Sequence, residues 1–367
     1  MKSRPGDGGL QGRISERHPS FRPSARSASS ELASRGAILG RGPLTGSGAS
    51  GRLSVFVASC FIDEVQEELE EAFEVFFASS EDPLQELQSP ERTFDVILFS
   101  LDVPMRADVI GALPQSVRAL ATYSVGTDHI DLDAAARRGL SVFNTPGVLA
   151  DSVAENAIFL MLGAARRATE SVGLIRSRGW MGWSPTQLVG VQLAGRTLGI
   201  LGMGDIGGRI ATRARALGME ILYCNRRQLL PEHPFAGGYR ATPSELVADC
   251  DVLMLACPST AETRGIVSEE LLARARPGLI VVNIARGDVV EDDALIAALR
   301  AGRVRAAGLD VFAGEPHVDP AYYDLPGVFM LPHIGSSTLE ARLGMGRILI
   351  EALQMWSAGR EPANRVR

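Results

Sequence analysis

Lysine is nearly absent: Lys2 stands alone against 36 arginines in 367 residues. Without a lysine beyond the first residues, the folded part has no Schiff-base nucleophile and no P-loop cation. Cysteine is scarce, and Cys60, Cys224, Cys250 and Cys257 show no CxxC spacing. His18, His129, His233, His317 and His333 are scattered. Neither a disulfide framework nor a metal site is written in these residues, so no metal is expected and a reducing, cytoplasmic setting is. Long apolar runs are missing too. The best stretches, 157–162 and 278–282, fall far short of the roughly 18 residues needed to span a bilayer. What remains, 46% apolar and 22% charged, suffices for two ordinary domains and excludes a wholly disordered chain.

Charge is divided unevenly. Residues 1–52 carry nine basic side chains against three acids, with ten glycines and ten serines, whereas residues 53–367 carry 28 against 40. The first segment has too little apolar surface to offset its chain entropy and is expected to be a disordered extension. Its Arg- and Ser-rich character also resembles a transit peptide or a nucleic-acid-binding arm, but the lysine-poor composition of the whole chain points to an arginine coding habit instead. The acidic body argues against nucleic acid as a main partner.

From Leu53 onward, short β-branched or aromatic runs alternate with longer helical stretches, the pattern of parallel α/β units. Strands are expected at 53–59, 73–77, 94–100 and 118–125, with a helix at 62–72. A long helix is expected at 151–168, N-capped by Asp151, with Ala154, Ile158, Leu162 and Ala165 at helical spacing. It is apolar on more than one face, so it must lie between two domains or against a second subunit. Further strands are expected at 250–257, 278–286 and 305–312.

The most informative segment is TLGILGMGDIGGRIATRARALGMEILYCNRR, residues 197–227. Gly202, Gly204 and Gly207 fall where a strand turns into a helix. There the first glycine permits the tight turn, the second lets a pyrophosphate approach the backbone, and the third lets the helix close on the sheet. Asp205 and Ile206 open that helix, whose N-terminus faces the phosphates. After the next strand, a dinucleotide site usually carries an acid for the ribose hydroxyls, but here the run is Asn225-Arg226-Arg227. A neutral amide beside two guanidiniums suits a 2′-phosphate, so NADPH is the expected cofactor, with NAD the alternative.

Later strands also end on polar or small residues, at the sheet edge where ligands bind. Cys257, Pro258 and Thr263 follow one strand, and Ile284, Ala285 and Arg286 another. Asp310 and Glu315 lie in GLDVFAGEP, and His333 and Gly335 in LPHIG. Reducing a carbonyl with a pyridine nucleotide needs a cation to hold the substrate anion and an acid to protonate the oxygen. Arg286 and His333 match those needs. A carboxylate at Glu315 would set the imidazole tautomer and favour its protonated form.

The motifs NTPGVLADSVAE, TLGILGMGDIG, NIARGDVVED, GLDVFAGEP and LPHIGSST together resemble the D-isomer-specific 2-hydroxyacid dehydrogenase family over about 53–360. RGWMGWSPTQLVG and the acid-free YCNRR are similar to its glyoxylate/hydroxypyruvate reductase branch. The resemblance implies an α/β fold of two Rossmann-like domains with parallel sheets, the nucleotide domain being inserted into a split substrate-binding domain. Residues 53–151 plus 335–367 would form the substrate domain and 152–334 the dinucleotide-binding domain. It further implies Arg286, Glu315 and His333 as the catalytic set, His333 being the general acid. Val125 and Gly126 would offer backbone N–H groups to the substrate carboxylate, Asp310 would hold the nicotinamide carboxamide, and a homodimer would pack through the nucleotide domain. The loop Leu101, Asp102, Val103 and Pro104 would set specificity. Alternatives are another member acting on phosphoglycerate, D-lactate or a similar acid, or a nucleotide-sensing corepressor of the same fold.

Overall fold

The computed structural model describes residues 52–80, 82–87 and 93–366. The expectations for the basic segment 1–52 therefore lie, apart from Arg52, outside the described residues.

Two parallel sheets account for all the named strands. The first contains β1 (Ser54–Val57), β2 (Glu74–Phe77), β3 (Val96–Phe99), β4 (Ala119–Thr122) and β5 (Ser141–Phe143), in the order β2-β1-β3-β4-β5. The second contains β6 (Thr197–Leu201), β7 (Glu220–Cys224), β8 (Val252–Leu255), β9 (Leu279–Asn283), β10 (Val304–Leu309) and β11 (Val328–Met330), in the order β11-β10-β9-β8-β6-β7. β3, β4, β8 and β9 are buried at every position, as expected for strands covered on both faces. The order reverses between β1 and β3 in one sheet and between β6 and β8 in the other, and each reversal opens a crevice at the carboxyl ends of the strands.

Two of these strands, β5 and β11, have no counterpart among the strands expected from the sequence. Each is a three-residue edge strand, too short to show a pattern.

The long helix differs from expectation. α1 (Asp63–Ala72) is as expected, but α2 runs Ala150–Ala165, and Arg167 at φ 55° separates it from α3, Ala168–Arg176. Leu149, not Asp151, occupies the N-cap. Asp151 is drawn aside by cations: its carboxylate pairs with Arg209 at 2.5 Å and Arg213 at 2.8 Å on α4, Asp205–Ala216. One face of α2 lies directly on the second sheet, where a side chain at Gly308 would come within 2.8 Å of the Leu160 carbonyl. Small residues on both elements make that approach possible. Phe159 and Leu162, on the same helix, remain exposed.

α5 (Leu339–Ser357) carries the chain back to the first sheet and packs on α1, where Gly346 stands against Val65. The chain end then joins the edge strand of that sheet, with Asn364 Nδ2 donating to the Asn144 carbonyl at 2.7 Å. The first sheet thus draws on both ends of the described chain.

Leu160 is fully buried between α2 and the second sheet. Leu160→Ala should lower the unfolding free energy by about 2–5 kcal/mol, read from urea denaturation. A loss well under 1 kcal/mol, on the scale of a surface change, would show that α2 is not seated in this way.

Candidate active site

A cleft of about 1350 Å³ runs along the carboxyl edges of both sheets. Its walls come from the loops after β1 and β3 (Ser59 to Ile62, Ser100 to Asp102), after β4 (Val125 to Asp128) and after β8, β9 and β10 (Cys257, Arg286, Asp310). His333, beyond β11, completes it.

His333 and Glu315 are brought together: Nδ1 lies 2.8 Å from Glu315 Oε2. Burial raises the Glu315 carboxyl, but the hydrogen bond and charge of His333, helped by the Phe312 N–H, outweigh it and hold the group below its ordinary value. Glu315 is therefore a carboxylate, Nδ1–H donates to it, and Nε2 is the ring nitrogen left to exchange a proton. His333 sits at φ 53°, in the left-handed region. Asp310 maintains that conformation. Its backbone carbonyl accepts the His333 N–H at 2.8 Å, and its carboxylate oxygens accept the N–H groups of Ile334 at 2.9 Å and Gly335 at 2.8 Å. Burial raises the Asp310 pKa despite those bonds. Asp310 borders the cleft, yet its first task is to shape the turn that carries the histidine.

Arg286 follows β9, and its partner is not the nearby Asp288 or Glu291. Asp128, 158 residues away, receives its Nε at 3.0 Å, and Nη2 lies 3.0 Å from the same carboxylate. Asp288 instead accepts from Ser259 and Arg264. Burial raises the Asp128 carboxyl, but the hydrogen bonds and charge of Arg286 more than reverse this.

The turn holding Asp128 also presents Val125 and Gly126. Asn144 Nδ2 donates to the Val125 carbonyl at 2.9 Å and Ser124 Oγ to the Gly126 carbonyl at 2.7 Å, while the two N–H groups have no acceptor among the described residues. Behind the turn, burial lowers the His129 pKa to about 4, so the ring is neutral at ordinary pH. Because Ser124 donates to Gly126, Thr122 must donate to Ser124 across 2.8 Å and His129 Nε2–H to Thr122 across 2.9 Å. This ordered chain fixes the turn from beneath. Neither His129 nor Asp128 stands out in the sequence, although both lie in the turn already marked by Val125 and Gly126.

The glycine turn fits a dinucleotide by what side chains would do there. Gly202 has φ 104°, and a Cβ on it would meet the backbone of Ala256 and Cys257 within 2.7 Å. A Cβ on Gly207 would lie 2.3 Å from the Gly202 carbonyl, whereas one on Gly204 would meet nothing within 4 Å. Two glycines are therefore needed for packing, and the third leaves open space at the start of α4. Asp205 pairs with Arg209 along that helix at 2.9 Å.

Ile206, Cys257, Pro258, Ile284, Ala285, Asp310 and Gly335 line the cleft, but Asn225, Arg226, Arg227 and Thr263 do not. Asn225 folds back on the glycine turn, accepting the Met203 N–H at 2.6 Å. Thr263 closes its own loop by donating to the Pro258 carbonyl at 2.6 Å. Arg226 and Arg227 are exposed at the end of β7 and form no salt bridge among the described residues, although the charge of Arg226 helps to lower the Glu262 pKa. Burial pushes the Cys257 thiol up to about 11, so it lines the wall as an uncharged group. Arg342 of α5, unremarked in the sequence, also borders the cleft, bonded to Ser337 Oγ at 3.0 Å.

Comparison with known proteins agrees with this geometry. Residues 158–335 match the model of the D-isomer specific 2-hydroxyacid dehydrogenase NAD binding domain. A glycerate dehydrogenase of Hyphomicrobium methylovorum is 40% identical over 291 residues, covering 77% of this chain and 90% of the relative. A glyoxylate reductase of Pyrococcus furiosus is 37% identical over 315 residues, covering 84% and 93%. The crystal structure of an NADPH-dependent glyoxylate/hydroxypyruvate reductase from Sinorhizobium meliloti, in complex with NADP and malonate, superposes with a TM-score of 0.75 at 31% identity, covering 86% of this chain and 97% of that one. Fold and cleft define a nucleotide-binding α/β dehydrogenase. The chain belongs to the D-isomer-specific 2-hydroxyacid dehydrogenase family.

The Glu315 shift has a measurable consequence. A carboxylate held below its unfolded value of 4.5 contributes stability that is complete above that pH and drains away as pH falls further. Asp310, raised from 3.8, acts with the opposite sign. Glu315→Gln should therefore show a smaller drop in urea midpoint between pH 7 and pH 4 than the wild type. Equal drops would show that the pair with His333 contributes nothing on folding.

Proposed function

We propose that this protein reduces a small 2-oxo acid, glyoxylate or hydroxypyruvate, to the D-2-hydroxy acid, with NADPH preferred. The observation carrying this reading is that His333, held at Nδ1 by Glu315, borders the same cleft as Arg286, Val125 and Gly126. A bound reduced nicotinamide supplies the hydride to the carbonyl carbon. Arg286 and the two amides hold the substrate carboxylate, and His333, oriented by Glu315, delivers the proton from Nε2 to the carbonyl oxygen. The Glu315 carboxylate accepts Nδ1–H and fixes the ring orientation for that transfer.

Gly202, Gly204 and Gly207 seat the pyrophosphate at the start of α4, and Asp310 still has lone pairs for the nicotinamide amide. Asn225 supplies no repelling acid at the ribose end, and the exposed Arg226 and Arg227 meet a 2′-phosphate. The substrate domain comprises 53–151 plus 335–367 and the nucleotide domain 152–334. Two copies pair through the nucleotide domain, around the helix that leaves the large apolar side chains of Phe159 and Leu162 exposed. The setting is cytoplasmic.

His333→Ala should cut turnover by roughly 10²- to 10⁴-fold with little change in NADPH binding. The measurement is the loss of NADPH absorbance on adding glyoxylate or hydroxypyruvate. Near-normal turnover would remove His333 as the acid, and a wild type that binds NADPH without turning over any 2-oxo acid would make the protein a nucleotide sensor. Replacing Arg226 and Arg227 together by Ala should raise KM for NADPH about ten- to a hundredfold, the scale of one charged hydrogen bond, and leave NADH unaffected. A wild type that uses NADH clearly better would overturn the cofactor preference.

A further inference from the structure

We infer that Asp128 is a positioning residue for Arg286, selecting which edge of the guanidinium meets the substrate carboxylate. This rests on the reductase reading above.

A guanidinium has five N–H donors in a fixed plane. Asp128 occupies one side of it: Nε–H donates to both carboxylate oxygens at 3.0 Å, and Nη2 lies 3.0 Å from Oδ1 as an ion-pair contact. The Ala285 carbonyl takes one hydrogen of Nη1 at 2.8 Å. With the Nε side of the group turned to Asp128, the outer end between Nη1 and Nη2 is the edge left to face the substrate. That is the bidentate fork which matches a carboxylate. Arg286 has other rotamers that would direct its side edge or a single nitrogen inward; the two protein acceptors remove them.

The fork and the amides meet at one place. A Cβ on Gly126 would lie 1.9 Å from Arg286 Nη2, so the arginine rests against the turn whose N–H groups are free. Asp128 belongs to the same turn, and its neighbour His129 is pinned through Thr122 and Ser124. A single rigid turn from the first sheet therefore supplies two donors to the substrate and orients a third that comes from the second sheet. Its charge has an opposing effect, since a carboxylate beside the site weakens anion binding. The two roles can be separated by experiment, because a competitor for Arg286 and a guide for it change KM in opposite directions.

Glyoxylate reduction by the NADPH-loaded enzyme should be compared in wild type, Asp128→Ala, Asp128→Asn, Arg286→Ala and the Asp128→Ala/Arg286→Ala double variant. Oxalate binding, measured by calorimetry, supplies a readout independent of turnover. Asp128→Ala should lower kcat at least tenfold, raise KM and weaken oxalate, consistent with the cost of misplacing a substrate-binding group. Asp128→Asn, which keeps an acceptor and loses the charge, should recover most of kcat. In the Arg286→Ala background, loss of Asp128 should have no further effect.

Unchanged kcat in Asp128→Ala, or a lowered KM with tighter oxalate, would overturn the inference and leave Asp128 a bystander or a competitor. An equal loss with and without Arg286 would also overturn it, since the effect would then be on folding alone. A wild type that neither turns over 2-oxo acids nor binds oxalate would overturn the reductase reading and this inference with it, a result distinct from all the others.

Discussion

The buried Asp310 carboxylate accepts the N–H groups of Ile334 and Gly335, and its own carbonyl accepts that of His333. These three bonds hold a histidine in a left-handed backbone conformation that residues other than glycine adopt infrequently. With the turn fixed, the imidazole meets Glu315, whose Oε1 is in turn anchored by the Phe312 N–H at 2.7 Å. The orientation of the ring is thus traceable to the end of β10. A charged group at that depth is costly, which is why burial raises the Asp310 pKa, and the cost is tolerable because backbone donors surround it.

The same economy of means governs the cleft as a whole. Most wall segments leave the carboxyl ends of parallel strands, with residues of α2 and α5 such as Val153 and Arg342 completing the lining. Glycines decide how closely the loops approach. At Gly287 a Cβ would lie within 1.8 Å of the Phe312 carbonyl carbon, which brings the loop bearing Arg286 hard against the loop bearing Glu315. At Gly126 the corresponding limit is set by Arg286 itself. Distances between functional groups in this protein are therefore largely set by the absence of side chains.

Much of this is legible in the order of the residues. The alternation of buried runs with amphipathic stretches identifies most strands, and a glycine turn between a strand and a helix carries its meaning locally, in six consecutive residues. Arg286 and Glu315 stand out because each follows an expected strand of the same fold, and His333 because it lies in the motif LPHIG. Short elements are not legible: β5 and β11 gain their pairing from neighbours rather than from pattern. Asp151 has the look of a helix cap because the cations of α4 that draw it away are more than 55 residues distant in sequence. Asn225 is conspicuous for what it lacks, a charge, whereas its amide also ties down the glycine turn.

Residue order alone establishes the parallel α/β class, the dinucleotide turn and the identity of the chemical groups, because those depend on short-range periodicity and on residue type. Which groups face one another is left to the packing of the two sheets. Pairing Arg286 with Asp128 requires strand ends from both sheets to meet at one cleft, and seating His333 on Asp310 requires β10 and β11 to lie side by side. Those are interactions of a few ångströms between positions far apart along the chain, and no local pattern encodes them.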